Sequence, residues 1–220
     1  MKKVLNPADS VKIIKDGATI MISGFMCCGQ PLSLIDALVE QGTKDLTIIC
    51  NDAGYPDKPG VGRLIVEKRV KKLIASHIGL NPIAGQQMNS GELEVILVPQ
   101  GSLAEKIRAG GTGLGGILTP TGVGTEVEKG KKIIEVDGIK YILEEALKAE
   151  FSLISSNICD EFGNAFIAKS AKNFNVVMAM AGENTIIETK KLVKTGQIEN
   201  ENITVPGVFV NTIVVGGKND

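Results

Sequence analysis

Ala18-Thr19-Ile20-Met21-Ile22-Ser23-Gly24-Phe25-Met26-Cys27-Cys28-Gly29-Gln30-Pro31-Leu32-Ser33-Leu34-Ile35 runs from an apolar stretch through a glycine-bracketed turn into a helical pattern. The stretch at 18–23 is short, continuous and apolar, as a strand covered on both faces must be. After Pro31, whose fixed φ suits a first helical turn, Leu34, Ile35, Leu38 and Val39 recur at helical spacing, and Gly42 can end the helix. Further β-rich runs lie at 46–50, 72–76, 93–98, 151–156, 176–180 and 208–215. Strands alternating with helices predict an α/β fold: an open, mostly parallel twisted sheet with helices on both faces. A second helix is expected from Ser102, with Glu105 completing a capping box and Gly110-Gly111 ending it. One departure is Ile133–Val136, where Asp137-Gly138 and a second apolar run at 139–143 predict an antiparallel hairpin at an edge or flap.

A chain of 220 residues that is 43% apolar can bury one substantial core, so a single domain over 1–220 is expected. Net charge is −1 with both signs interspersed, which gives no reason to expect nucleic acid or an anionic membrane as partner. The start Met1-Lys2-Lys3 is basic, yet Pro7, Asp9, Lys12, Lys15 and Asp16 interrupt any apolar leader. Residues 17–35 carry no charge but hold three Gly, a Pro, a Gln and two Ser, which is wrong for a spanning helix. A soluble, cytoplasmic protein is expected. Cys27, Cys28, Cys50 and Cys159 form no C-x-x-C pair, and His77 is the only histidine. Reduced, buried or partly buried thiols and no metal site are therefore expected. Residues 109–124 contain seven glycines, but Leu114, Ile117, Leu118 and Val123 make them too apolar for a solvated spacer. A folded loop packed on another surface, such as a partner chain, fits better.

In open α/β sheets ligands bind beyond the carboxyl ends of strands, where helix N-termini offer free N–H groups. Four segments qualify: 23–31, Asn51-Asp52-Ala53-Gly54, Ser76-His77-Ile78-Gly79, and Pro99-Gln100-Gly101-Ser102. In the first, Gly24 and Gly29 permit positive φ and close approach of a ligand, and the helix start beyond offers donors to an anionic or carbonyl oxygen. It lacks the spacing of a dinucleotide fingerprint or a P-loop, so NAD and ATP are poorly supported. A glycine turn that only packs helix on sheet is an equal reading from spacing alone. Gln100 could donate to a developing oxyanion, though a glutamine that closes a turn is the commoner case. Asn51 and Asp52 read as turn formers, His77 as a structural histidine, Arg108 as a local ion pair. Glu183 in Ala181-Gly182-Glu183-Asn184-Thr185 reads as a solvated loop residue, with a carboxylate nucleophile as the sharper alternative.

The pattern Asp16-Gly17-x-x-Ile20-Met21-Ile22-Ser23-Gly24-Phe25-x-x-x-Gly29-x-Pro31 resembles the alpha-subunit signature of family I CoA-transferases, with Ser23 where the family has a glycine. The resemblance continues through Asn51-Asp52, Ala75-Ser76-His77-Ile78-Gly79, the segment 98–111 around Pro99-Gln100-Gly101-Ser102, Leu118-Thr119-Pro120-Thr121-Gly122-Val123-Gly124, Ala171-Lys172-Asn173-Phe174-Asn175 and Pro206-Gly207. It covers essentially the whole chain and is nearest to the bacterial acetate/acetoacetate and butyrate–acetoacetate types. The resemblance implies the CoA-transferase fold and a ping-pong exchange of coenzyme A between short-chain acyl-CoA and a carboxylate. There a glutamate forms a mixed anhydride and then a glutamyl-CoA thioester. It implies no permanent cofactor, coenzyme A being substrate and covalent intermediate. In two-subunit members the nucleophile lies in a Ser-Glu-Asn-Gly motif of the beta subunit, the expected partner here. Gly182-Glu183-Asn184-Thr185 departs from that motif on both sides, so the role is not carried to Glu183. By the same resemblance Ser23, Gly24, Phe25, Met26, Cys27, Cys28 and Gly29 form the CoA-binding segment, and Gln100 faces the reacting carbonyl. A self-sufficient enzyme using Glu183, and a sugar-phosphate isomerase or ligand-binding regulator of related fold, are the competing expectations.

Overall fold

The structure is a computed structural model that describes residues 1–216. Its first half is a run of strands and helices: β1 Lys3–Leu5, α1 Pro7–Val11, β2 Thr19–Ile22, α2 Leu32–Gln41, β3 Leu46–Ile49, α3 Gly62–Val66, β4 Val70–Ala75, α4 Pro82–Ser90, β5 Glu94–Leu97 and α5 Gln100–Gly111. Three strands follow, β6 Gly116–Thr119, β7 Ile133–Val136 and β8 Ile139–Glu145, and then β9 Ala149–Asp160, β10 Ala165–Phe166, α6 Lys172–Ala181, β11 Gly182–Val193 and β12 Thr212–Val215.

The main sheet has the order β1-β12-β11-β9-β2-β3-β4-β5, every neighbouring pair being parallel, with β10 antiparallel beside β9. From β2 the chain moves through α2 to β3 on one side. From β9 it moves through α6 to β11 on the other. The strand order therefore reverses between β2 and β9, the place where open sheets make a crevice.

Side-chain alternation along the strands divides the interior in two. Ile20, Ile22, Ile48, Leu153 and Ile186 face a cluster with Leu34, Ile35 and Leu38 of α2 and Leu64 and Ile65 of α3. Met21, Ile49, Ile154 and Ile187 face the opposite cluster, with Leu103 and Ile107 of α5 and Phe174, Val177 and Met178 of α6. Burying each such side chain contributes about 1.5–3 kcal/mol, so the sheet is held by apolar burial from both sides.

The predicted hairpin forms, with Asp137 (φ 49°) and Gly138 (φ 76°) turning β7 into β8. It belongs to a separate antiparallel sheet ordered β6-β8-β7, and β6 comes from the glycine-rich segment 109–124. Residues 116–119 of that segment thus pair within their own chain as a strand, while Leu114 and Leu118 stay exposed. Three expectations are corrected. The run 176–180 is helix, within α6: Phe174, Val177, Met178 and Ala181 are buried at helical spacing, and this periodicity overrides the β-branched Val176-Val177 pair. The strand it displaced is β11, masked in the sequence by Glu183, Lys190 and Lys191. The run 208–215 is strand only from Thr212, after a 3₁₀ turn at Gly207–Phe209. Helix α5 begins at Gln100, with no side-chain cap. Glu105 pairs with Arg108 at 3.1 Å instead of closing a box, and Ser102 Oγ is buried without a partner. Gly110 lies inside α5 and serves contact: a Cβ there would sit 1.8 Å from Leu147 O.

Candidate active site at the reversal of the sheet

The glycine turn leaves β2 at the reversal point. Ser23 N–H still donates to Leu153 O (3.1 Å), and then Gly24 breaks the line at φ +113°. A Cβ on Gly24 would lie 2.3 Å from Gln30 Cγ. Phe25 and Cys28 exchange two backbone hydrogen bonds of 3.0 and 2.9 Å, and Met26 adopts φ 54° at the tip. The far end is anchored through Gly29 O, which accepts from Ser23 Oγ (3.1 Å), Ser155 Oγ (2.8 Å) and Asn175 Nδ2 (2.9 Å). Asn175 is fully buried on α6, and its Oδ1 accepts Ser155 N–H at 2.7 Å. Strand β9 and helix α6 thereby hold the turn from two sides. Gly24 is itself buried against Gln30 and Cys28, so the exposed part of the turn is its tip, with Phe25 and Cys28 open to solvent.

A second set of contacts joins this turn to the ends of β3 and β5. Gln100 Nε2 donates to Asn51 Oδ1 (2.5 Å), Asn51 Nδ2 to Asp52 Oδ2 (2.8 Å), and Met26 N–H to the same oxygen (2.7 Å). Asp52 Oδ1 accepts Gly54 N–H at 2.8 Å. Asn51 and Asp52 are buried, and Asn51 O takes Ser76 N–H (2.9 Å) and Oγ (2.7 Å). Inside the turn Gln30 Nε2 donates to Met26 O while its Oε1 accepts Val61 N–H at 2.8 Å. A buried carboxylate receiving several N–H donors is a strong, directional joint. Here it fixes the turn relative to Gln100.

A family model described as Coenzyme A transferase matches residues 4–216. The chain belongs to the coenzyme A transferase family. It is 48% identical to the alpha subunit of acetate CoA-transferase from Escherichia coli (strain K12), over 97% of this chain and 96% of that protein. It is 51% identical to the acetoacetyl-CoA:acetate/butyrate CoA transferase alpha subunit of Clostridium acetobutylicum, over 96% and 97%. Among solved structures, an acyl-CoA transferase of E. coli O157:H7, in a thioester complex with CoA, superposes with TM-score 0.86 at 24% identity. This chain is covered entirely but spans only 48% of that one. Glutaconate coenzyme A-transferase of Acidaminococcus fermentans gives TM-score 0.85 at 19% identity, covering 97% of this chain and 75% of that one. These two likenesses establish the fold.

Within this coenzyme A transferase the residues singled out from sequence fall into three groups. Ser23 to Gly29 and Gln100 come together at the carboxyl ends of the strands. Ser23 Oγ closes the turn on Gly29 O and is buried, so it does not reach toward a ligand. Asn51 and Asp52, expected as turn formers, are the buried joint between turn and Gln100. His77 contributes its backbone carbonyl to Ala53 N–H (3.3 Å), and Arg108 makes the expected local ion pair, with Glu105. Cys28 is exposed, unlike the partly buried thiol expected. Glu183 is exposed but stands in β11, not in a loop, near its amino end. It precedes the level of Ser155 by five residues, about 16 Å along a strand. The donors expected at the start of α2 are taken: Leu34 N–H donates to Glu188 Oε2 at 3.1 Å. Glu188 escaped sequence reading, although an acid between Ile187 and Thr189 in an apolar strand is itself a signal, because lone acids are seldom buried. Among the described residues no group of three or more His, Cys, Asp or Glu is placed to hold a metal ion, and no helix is long and apolar enough to cross a membrane.

Proposed function

We propose that this chain is the alpha subunit of a two-subunit CoA-transferase that exchanges coenzyme A between short-chain acyl-CoA and carboxylates such as acetoacetate, butyrate and acetate. Two relatives of 48% and 51% identity are named as alpha subunits, and the chain spans about half of a solved acyl-CoA transferase. A partner chain supplies the other half. In this reading a glutamate from the partner attacks the acyl-CoA carbonyl, the thiolate leaves, and a mixed anhydride forms. The thiolate then attacks the glutamyl carbonyl, releasing the first carboxylate and leaving a glutamyl-CoA thioester. A second carboxylate reverses both steps.

The observation that carries the proposal is the path from Gln100 through Asn51 and Asp52 to Met26 N–H. It joins the residue that the resemblance places at the reacting carbonyl to the segment it assigns to coenzyme A. Gln100 is the donor to the developing oxyanion, with Asn51 setting the orientation of its amide. Residues 24–29 bind coenzyme A, presented by the tip of the turn, and Ser23 keeps the turn closed on Gly29 O. Glu183, near the amino end of β11, is no candidate for nucleophile.

The test is exchange of coenzyme A by the chain alone and mixed with a partner carrying Ser-Glu-Asn-Gly. Turnover is expected only in the mixture, and hydroxylamine or borohydride after acyl-CoA is expected to mark a partner glutamate. Turnover by the chain alone with label on Glu183 sinks the proposal.

A further inference from the structure

Glu188 is 6% exposed, is paired in the ladder of β11 with β9, and carries its charge into the apolar side of the sheet that α2 covers. In register it stands directly across from Ser155. Neighbouring strands are about 4.8 Å apart, so the two residues act side by side. Ser155 Oγ holds Gly29 O at 2.8 Å, and Glu188 Oε2 holds Leu34 N–H at 3.1 Å. Ser33 also bonds the carboxylate, through both its backbone N–H and its hydroxyl. The short segment between the glycine turn and the first turn of α2 is thus fastened at both ends by adjacent residues of β9 and β11. Glu188 further lines the cavity shared by Cys28, Gly29, Gln30, Ser155 and Ser156. Ser156 Oγ is buried there with no protein partner, which marks the cavity as polar.

This carboxylate is an expensive one. Burial pushes its pKa up, the N–H groups of Leu34 and Ser33 pull it down without cancelling that, and Asp36 adds repulsion. A group whose pKa is raised by folding is one the fold would hold more easily uncharged. A buried acid kept at a cost, beside the candidate site, at the dipole of the helix that leaves the site, calls for a reason other than stability.

We propose that Glu188 is a positioning residue for the glycine turn: it occupies the α2 N-terminus in place of a ligand anion and, with Ser155, sets where Gly24 to Gly29 stand relative to Gln100. The inference rests on the proposed exchange reaction for its kinetic part. Its structural part is independent of any reaction. Helix α2 offers no anion site to coenzyme A, and the turn is aligned by the chain's own charge.

Glu188→Gln keeps the shape and one acceptor oxygen while removing the charge. In the assembled pair it is expected to lower kcat about tenfold with KM for acyl-CoA within about threefold, because a displaced turn misplaces the reacting carbonyl. The thermal midpoint is expected to equal or exceed that of the parent, since an unfavourable buried charge is gone. Ser33→Ala should shift kcat the same way by a smaller factor. In the chain alone, amide exchange of residues 24–34 in Glu188→Gln is expected to be about tenfold faster, with exchange of β3 and β4 unchanged. Unchanged kcat and unchanged exchange overturn the proposal. So does a loss of kcat matched by a lowered thermal midpoint, which marks simple structural support. Failure of the proposed reaction shows instead as an inactive parent pair, and the exchange measurement then decides the question of Glu188 by itself.

Discussion

At the scale of the residue, Gln100 illustrates how a site is made from ordinary amides. Pro99, at φ −51° and ψ 138°, ends the approach from β5 and puts Gln100 at the first position of α5, where its side chain is free of the helix. Asn51 then takes one of its two N–H bonds, fixing which way the amide faces and leaving the other N–H for a ligand. Gln100→Ala is expected to reduce turnover of the assembled enzyme about 100- to 1000-fold, with KM for acyl-CoA little changed, as for any lost oxyanion donor. Gln100→Glu should be at least as damaging, since a carboxylate would meet the developing negative charge. Steady-state kinetics of both variants, shown by circular dichroism to be folded, decide the matter, and turnover within about threefold of the parent removes Gln100 from the mechanism. The position of Gln100 at the carboxyl end of β5 was legible because its segment sits between strand and helix. The burial of Asn51 and Asp52 was not legible: it depends on β4 and the glycine turn closing over them, and spacing along one chain carries no record of that.

Among the elements, an acid of the three-stranded sheet reaches α5. Glu144 of β8 is fully buried and pairs with Lys106 of α5 at 2.7 Å and with Lys131 at 2.5 Å. Burial is the largest influence on its carboxyl and works to raise the pKa, but the hydrogen bonds and charges of the two ammonium groups together bring it below the usual range. With the folded value below the unfolded one, the ion triad stabilises above the ordinary glutamate range and is lost as pH falls through the folded value. Lys106→Met is expected to cost about 3 kcal/mol at neutral pH, the low end for a broken buried pair because Lys131 remains. The same variant should also flatten the fall in stability below pH 4.5, the ordinary glutamate value. Urea unfolding across pH 3 to 7, a range about the ordinary glutamate pKa, reads both effects, and equal losses at every pH in parent and variant exclude the triad as the cause. Element types were read well where periodicity was strong, as in β2, α2, β3 and the β7–β8 hairpin. They were misread at 176–180 because a five-residue apolar run has no period of its own, and the deciding residues, Phe174 and Ala181, lie outside it. Strand β11 was missed because it ends in Lys190, Lys191 and Val193 beyond the buried part of the sheet.

For the whole molecule, the two apolar clusters are not separate cores. Each strand at the centre gives alternate residues to both, Met21 to one and Ile20 and Ile22 to the other, so neither can dissolve without stripping the shared sheet. Thermal unfolding of the chain is therefore expected as one cooperative step, with calorimetric and van't Hoff enthalpies agreeing and far-ultraviolet circular dichroism tracking the same midpoint. Two resolved steps contradict this account of the interior. The outer edge of the sheet adds a constraint in time. Strand β1 pairs with β12 in parallel, Lys3 beside Thr212, so β1 leaves the ribosome long before the strand it pairs with. During synthesis β2 to β5 can assemble in order as they emerge, while β1 stays unpaired until β12 is made. A message cut short before Thr212 yields a product with β1 and β11 both left open along one side, a ready surface for stray strands and for the proteases that clear them.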